Sequence, residues 1–205
     1  MKILPIVKLL PGFLGIGSCY LLVFYLIGYM GFSDFYDTIK VITISEILSY
    51  SSELLPIGII IIVAASIFST LTLYWLSASY NLFSKRGFGL LFFFFIISSF
   101  WTGLTLNRVL FFAHSFVAYG FFSSIILLQI IISLEAKNRK ITAVGMGIIA
   151  MSVIIFVALF ILYDYRINGI EEVVFMLTTN VWLLLISLFT IKKELAEKQI
   201  DSRSK

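Results

Sequence analysis

Six long apolar runs separated by short polar connections dominate the pattern of the chain. Each run reaches or approaches the roughly 20 residues that a helix needs to cross a hydrocarbon core of about 30 Å. The runs do not alternate polar and apolar positions, as the strands of a membrane barrel do. We therefore predict an all-α bundle of six transmembrane helices, at residues 11–32, 55–80, 88–106, 109–134, 141–163 and 173–191.

Two connections between these runs have distinct patterns. The third and fourth runs meet at Asn107 and Arg108, which predicts a tight helical hairpin. Residues 33–53, between the first and second runs, form the longest polar connection and contain several aliphatic residues. This pattern is typical of a short element that lies in the membrane interface. The pattern is compatible with either a helix or a strand.

The two ends of the chain differ in character. The first run follows Lys2 and Lys8, as a secretory signal would. It is longer than the roughly 7–15 residues of a signal core and lacks a small-x-small cleavage site, so we expect it to be retained as the first helix. Residues 192–205 are rich in charges. We expect residues 1–191 to form one membrane domain and residues 192–205 a cytoplasmic tail.

The composition supports a membrane protein and excludes several other classes. Hydrophobic residues make up 60% of the chain and charged residues 13%, far from the values of soluble domains. The only cysteine is Cys19, so the chain cannot form an internal disulfide or a cysteine metal cluster. The net charge of +4 does not indicate a nucleic-acid partner, because the basic residues lie at the ends of apolar runs and form no face interleaved with aromatic residues.

The distribution of basic residues predicts the orientation. The chain has 15 Lys and Arg residues, and only Lys40, Arg108 and Arg166 fall on one side of the predicted bundle, which leaves 12 on the other side. Lys and Arg are enriched in cytoplasmic loops. We therefore predict that both termini are cytoplasmic and that the protein is a multi-pass protein of the cell membrane.

His114, the only histidine, lies within the predicted fourth helix. At about 1.5 Å per residue it lies roughly 9 Å deeper than Arg108, and it shares a helix face with Asn107. Ionisable groups at such depth normally face the bundle interior or a wet cavity. The polar stretch Thr178, Thr179 and Asn180 reaches a similar depth on the sixth helix. We therefore predict that His114 contacts one of these three residues.

These polar residues have two interpretations. In the functional one, His114 carries a proton or binds a ligand in an outward-facing cavity whose charge is shaped by nearby acids and Arg108. In the structural one, His114 bonds to a neighbouring helix and Arg108 extends towards the lipid headgroups. We prefer the structural interpretation for both residues. The candidate polar site comprises His114, Arg108, Asn107, Glu46, Glu171, Glu172, Thr179 and Asn180.

No arrangement of residues in the sequence predicts catalysis. Glu171 and Glu172 lie in the first turn of the predicted sixth helix, where the helix dipole favours acids. Membrane proteases that process prenylated proteins also have paired glutamates, but they require an arginine where this chain has Met176 and a histidine later in the chain. One histidine and no HExxH pattern argue against a zinc site, and no G-x-S-x-G elbow is present. We expect no catalytic residue, metal or cofactor.

Three segments resemble a known family. ITISEIL contains Ser45 and Glu46 at the start of the second helix, the hairpin from Gly103 to Phe122 contains His114, and NGIEEVVFMLTTNVWLLL contains Trp182. Together they resemble the domain-of-unknown-function 998 family, six-helix prokaryotic membrane proteins that are distantly similar to the eukaryotic Frag1/DRAM proteins. The resemblance implies a six-helix fold and topology, and it implies no activity.

Three functions are compatible with these observations. The first is a non-enzymatic membrane protein that acts through lipids, other membrane proteins or a homo-oligomer. The second is a small transporter or proton-coupled permease with an outward-facing site around His114. The third is a lipid-modifying enzyme that works at the outer face. We prefer the first, because the sequence contains no catalytic arrangement.

Overall fold

The computed structural model describes residues 4–106, 111–163 and 167–203, and within these ranges the chain is helical without strands. A single 3₁₀ turn, Leu82–Ser84, joins two of the helices. The α-helices are α1 Leu4–Met30, α2 Phe32–Ile39, α3 Ile44–Tyr50, α4 Leu54–Ser79, α5 Phe88–Leu104, α6 Phe111–Glu135, α7 Arg139–Leu162 and α8 Gly169–Arg203.

The long helices are those of a membrane protein. Of the helices that the structure describes, α1, α4, α6, α7 and α8 are long and apolar enough to cross a membrane, and α5 is shorter at 17 residues. Large apolar side chains cover the outside of the bundle; Leu90 and Phe116, for example, are 76% and 77% exposed. Soluble proteins rarely expose large continuous apolar surfaces. The protein is therefore embedded in a membrane and is multi-pass.

Each of the six predicted runs overlaps one of the long helices, and two described boundaries differ from the prediction by more than about four residues. α1 begins at Leu4 and contains Pro11, at which we predicted the helix to start. α8 continues to Arg203 instead of ending at 191, because the lysines, glutamates and alanine beyond 191 favour helix as strongly as the apolar residues before them. The charged segment after 191 therefore continues the helix through Arg203.

The long connection at residues 33–53 folds into α2 and α3. Gly31 separates α2 from α1 with a φ of +82°, a backbone conformation that residues with a side chain rarely adopt. Thr43 and Glu46 start α3 with a capping box, in which Thr43 Oγ1 accepts from Glu46 N at 3.1 Å and Glu46 Oε2 accepts from Thr43 N at 2.8 Å. Because Ile39 and Leu48 are buried, α2 and α3 pack onto one end of the bundle.

The six long helices form a closed ring. α1 packs against α4, α4 against α5, α5 against α6, α6 against α7, α7 against α8, and α8 returns to α1. α4 also contacts α8 across the ring. Neighbours in the chain are thus neighbours in space, as short connections require.

Two buried apolar clusters fill this ring. The cluster beneath α2 and α3 includes Leu26, Leu48 and Leu106. The other includes Phe95 and Trp182. The interior is therefore packed along most of its length.

Three helices meet closely at Ser133. A Cβ atom on Gly145 of α7 would lie 2.9 Å from Ser133 Cβ, so only glycine fits at this position. Trp182 Nε1 donates to Ser133 Oγ at 3.1 Å, and Thr142 Oγ1 donates to Ser133 O at 2.8 Å. Small residues and interhelical hydrogen bonds are the usual means of joining helices in membranes. This contact joins α6, α7 and α8 on the inside of the ring.

Ion pairs join helices at the end of the bundle opposite to α2 and α3. Lys8 Nζ lies 2.6 Å from Glu194 Oε2, and Ser79 Oγ donates to Glu194 Oε1 at 3.1 Å. Lys85 pairs with Glu135. The start of α1 and the end of α8 therefore lie at the same end of the ring. We call this end the basic end, and the end covered by α2 and α3 the capped end.

Candidate functional site

The structure divides the predicted polar residues among several places. Asn107 and Arg108 lie outside the described residues. His114 lies between α5 and α6, and Thr179 and Asn180 lie in the bundle interior. The three glutamates lie at the capped end. The described candidates therefore form no single site.

Glu172 joins α8 to the capped end. Its Oε2 accepts from Ile44 N at 2.7 Å, and its Oε1 lies 3.4 Å from Ser45 Oγ. Ile44 N is one of the N–H groups at the start of α3 that have no partner within the helix. Gly169 N donates to Ile42 O at 3.0 Å close by. Glu172 thus caps α3 from another helix, and both of its oxygens are occupied.

Glu171 caps its own helix. Its Oε2 accepts from Asn168 N at 2.8 Å, while Asn168 Oδ1 accepts from Ile170 N at 3.0 Å and Glu171 N at 3.3 Å. The side chain is buried, at 1% exposure. Its second oxygen, Oε1, has no hydrogen-bond partner in the part of the chain that the structure describes. Buried polar atoms without partners are rare and require an explanation.

A cavity of about 160 Å³ lies between α6, α7 and α8, and we call it the lateral cavity. Its walls are mostly apolar, and Glu171 and Glu172 are among the residues that line it. Tyr119 and Val153 also line it and are 56% and 46% exposed, so it opens sideways onto the apolar surface of the bundle. The other apolar walls include Phe122, Ile126, Phe156 and Phe175.

A second cavity of about 110 Å³, the central cavity, lies inside the ring. Two of the predicted polar residues, Thr179 and Asn180, line it. Phe122 and Phe175 line both cavities, with ring centroids 4.6 Å apart in an edge-to-face arrangement. This aromatic pair therefore stands between the two cavities. The other polar residues of the central cavity are Cys19, Ser66, Ser69 and Ser99.

His114 is bound to α5 rather than to the predicted sixth helix. Its Nδ1 lies 3.0 Å from Thr102 O and 3.5 Å from Thr105 Oγ1, and the residue is 2% exposed. Thr178 instead bonds to Ser152 of α7, with 2.7 Å between the hydroxyl oxygens. We predicted the contact from depth alone, but the rotation of a helix about its axis decides which neighbour a residue meets. His114 is not among the residues that line the two cavities.

The charged residues that the structure describes at the capped end are mainly acidic. Lys40 donates to Asp37 at 2.9 Å, and this hydrogen bond raises the pKa of the Lys40 ammonium group. Arg108 and Arg166, the other basic residues predicted on this side, lie outside the described residues. No Lys, Arg or His is among the described residues that line the lateral cavity.

Comparisons with models of protein families, with curated proteins and with solved structures found no match for this chain. The sequence reasoning missed the lateral cavity, although its α6 wall has a recognisable spacing. Tyr119, Phe122 and Ile126 follow one another at intervals of three and four residues, which places them on one helix face. An apolar helix face is so common in a membrane protein that this spacing alone could not indicate a cavity.

Proposed function

We propose that the protein is a non-enzymatic, multi-pass protein of the cell membrane that binds an amphiphilic molecule in the lateral cavity. The observation that carries the proposal is an apolar cavity that opens onto the outer surface of the bundle and has two glutamates, Glu171 and Glu172, among its lining residues. Ligand sites are typically concave and apolar, with a few polar groups that orient the ligand. A molecule dissolved in the bilayer can enter such a cavity sideways.

The volume of the cavity limits what can enter. An apolar cavity of roughly 150 Å³ holds a molecule of the size of benzene. The lateral cavity, at about 160 Å³, therefore accommodates one ring or a short section of alkyl chain. The remainder of a longer amphiphile stays between the bundle and the surrounding lipid.

A filled-cavity variant tests the proposal. Val153 lines the lateral cavity, while its neighbour Ile154 is 68% exposed on the bundle surface. We expect a photoactivatable alkanol in phosphatidylcholine nanodiscs to label peptides of α6, α7 and α8, and excess unlabelled alkanol to compete. Val153→Trp should lose most of this labelling and Ile154→Trp should keep it. Equal labelling of both variants contradicts the proposal.

We also propose that all six long helices cross the membrane, with both termini in the cytoplasm. At about 1.5 Å per residue, the 17 residues of α5 extend roughly 26 Å, close to the thickness of the hydrocarbon core. The ring of neighbouring helices supports six crossings, and Lys8 and Lys85 at the basic end support a cytoplasmic location for that end.

Cysteine labelling tests this topology. Ser33 on α2 and Ser84 in the 3₁₀ turn are both exposed and lie at opposite ends of the bundle. In a Cys19→Ala background, an impermeant thiol reagent applied to intact cells should label Ser33→Cys and leave Ser84→Cys unmodified. Labelling of Ser84→Cys from outside would refute the proposed orientation.

The central cavity favours a second candidate function, a small transporter or proton-coupled permease. Residues with hydroxyl, thiol and amide groups line this space of about 110 Å³ inside the ring, away from the site that we expected around His114. If this candidate is correct, liposomes containing the protein should show a proton flux that Asn180→Leu abolishes. The control Phe94→Ala, whose side chain is half-exposed on the bundle surface, should retain the flux. Absence of flux in the wild type contradicts this candidate.

A further inference from the structure

The unpartnered oxygen of Glu171 indicates the chemistry of the molecule that binds in the lateral cavity. Glu171 is 1% exposed and lines this cavity. Its Oε2 is occupied by Asn168 N, whereas Oε1 has no partner within the described ranges. A buried carboxyl oxygen left without a hydrogen bond is unfavourable. A ligand that donates to Oε1 would remove this cost on binding.

We propose that the amphiphile has a primary amine that donates to Glu171 Oε1. This inference rests on the proposed function, because it concerns the same cavity. An ammonium group donates a hydrogen bond and carries a charge opposite to that of a carboxylate, and such bonds are about twice as strong as neutral ones. A hydroxyl group can supply the hydrogen bond without the charge. A carboxylate or a phosphodiester can supply neither.

Glu172 is the less suitable acceptor, although it lines the same cavity. Its Oε2 accepts from Ile44 N and its Oε1 lies within hydrogen-bonding distance of Ser45 Oγ, so both oxygens serve the contact with α3. Glu172 nevertheless lines the cavity, and in its ionised form it carries a negative charge there. It therefore adds to the selection for a cation and against an anion.

The position of Glu171 in the fold gives the ligand an orientation. Glu171 lies in the first turn of α8 at the capped end, whereas Phe122 and Phe175 line the cavity at positions deeper in α6 and α8. An amphiphile bound with its amine at Glu171 would therefore direct its apolar group towards the middle of the bundle. The amine could belong to a lipid headgroup or to a free alkylamine, and the two share the chemistry that Glu171 recognises.

Matched probes test the inference. Photoactivatable dodecylamine and dodecanol, with the same chain and the same photoreactive group, are compared in phosphatidylcholine nanodiscs that contain the full chain. We expect the amine to label peptides of α6 to α8 at a concentration about tenfold lower than the alcohol, as a charged hydrogen bond allows. Glu171→Gln should remove this difference, because it removes the negative charge that favours the amine over the alcohol.

Glu171→Gln is suited to this test because it should keep the cap at the start of α8. A glutamine at the third position of a capping box accepts the same backbone hydrogen bond as glutamate. Asn168 N therefore retains its partner, and an unchanged melting temperature checks that the variant is folded. Glu53→Gln, which changes an exposed acid at the same end of the bundle, is the matched control and should keep the full preference for the amine.

The outcomes separate this inference from the proposed function. Equal labelling by amine and alcohol in the wild type, or an amine preference that survives Glu171→Gln, overturns the amine inference and leaves the proposed function in place. Failure of both probes to label α6 to α8 overturns both. Competition by added phosphatidylethanolamine would assign the amine to a lipid headgroup, and competition by soluble alkylamine alone would assign it to a free amine; each of these results supports the inference.

Discussion

The two ends of the helix ring use their charged residues in opposite ways. At the capped end, the carboxyl groups of Glu46, Glu171 and Glu172 bind backbone N–H groups at the starts of helices. At the basic end, Lys8 and Glu194 bind each other through their side chains. The acids of the capped end therefore satisfy backbone N–H donors at helix starts. The ion pair of the basic end instead joins two helices through their side chains.

This difference has a physical cause. The first N–H groups of a helix have no partner within the helix, and near a membrane an unsatisfied donor is costly. An ion pair between partly exposed side chains gains little, because water solvates the separated charges well. The two oxygens of a carboxyl group at the capped end can therefore differ, since one can accept a backbone hydrogen bond while the other has no partner. Among these three glutamates, Glu171 has a buried carboxyl oxygen, Oε1, without a hydrogen-bond partner in the described part of the chain.

The largest expected effect is that of removing the carboxyl group of Glu172. Glu172→Ala leaves Ile44 N without its acceptor, and a hydrogen bond to a charged group contributes about 1.5–3 kcal/mol. We expect a loss of that size in the free energy of unfolding in mixed micelles, together with faster hydrogen exchange at Ile44 N–H. Glu172→Gln keeps an acceptor and should lose less. Unchanged exchange at Ile44 in the alanine variant would show that the cap has no such role.

A methyl group at Gly169 should separate α8 from α2. The added Cβ would lie 2.8 Å from Ile39 Cβ and 3.1 Å from Ile42 O, and overpacking of this kind costs about 1–3 kcal/mol. Gly147→Ala on α7 is the matched control, because a Cβ there meets nothing within 4 Å. We expect Gly169→Ala to unfold at lower denaturant and Gly147→Ala to be unchanged or slightly more stable. A similar stability of the two variants contradicts the close contact.

His114→Ala should have a moderate effect on stability and none on ligand binding. The variant loses the contact between Nδ1 and Thr102 O, and interhelical hydrogen bonds in membranes contribute about 1–2 kcal/mol or less. Labelling of the lateral cavity by the alkanol probe should be unchanged, since His114 does not line that cavity. A variant of normal stability that no longer binds the probe would instead indicate a functional histidine.

The smallest effect is expected at the basic end. A double-mutant cycle on Lys8→Ala and Glu194→Ala should give a coupling of about 0.2–1 kcal/mol, because both side chains are partly exposed. This coupling should weaken further as salt is added. A coupling as large as the loss in Glu172→Ala would remove the contrast between the two ends.

The sequence by itself determined where the helices lie. Length and hydrophobicity are local properties, and a run of apolar residues in a membrane can satisfy its backbone only as a helix or in a closed barrel. The end of α8 was not predicted, because polar residues of high helix propensity extend it beyond the apolar run. The fold of residues 33–53 was also left open, although the Thr43 and Glu46 spacing of a capping box was readable.

The tertiary structure alone decided which faces meet. His114 lies in the fourth long helix, as predicted, but its Nδ1 contacts Thr102 of α5, which neighbours α6 in the ring. Glu171 and Glu172 are adjacent and chemically identical, yet one caps its own helix and the other caps α3. A sequence pattern predicts how far along its own helix a residue lies and on which face of that helix it lies. The partner across the interface depends on the rotation and packing of a second helix, which is set by contacts between residues far apart in the chain.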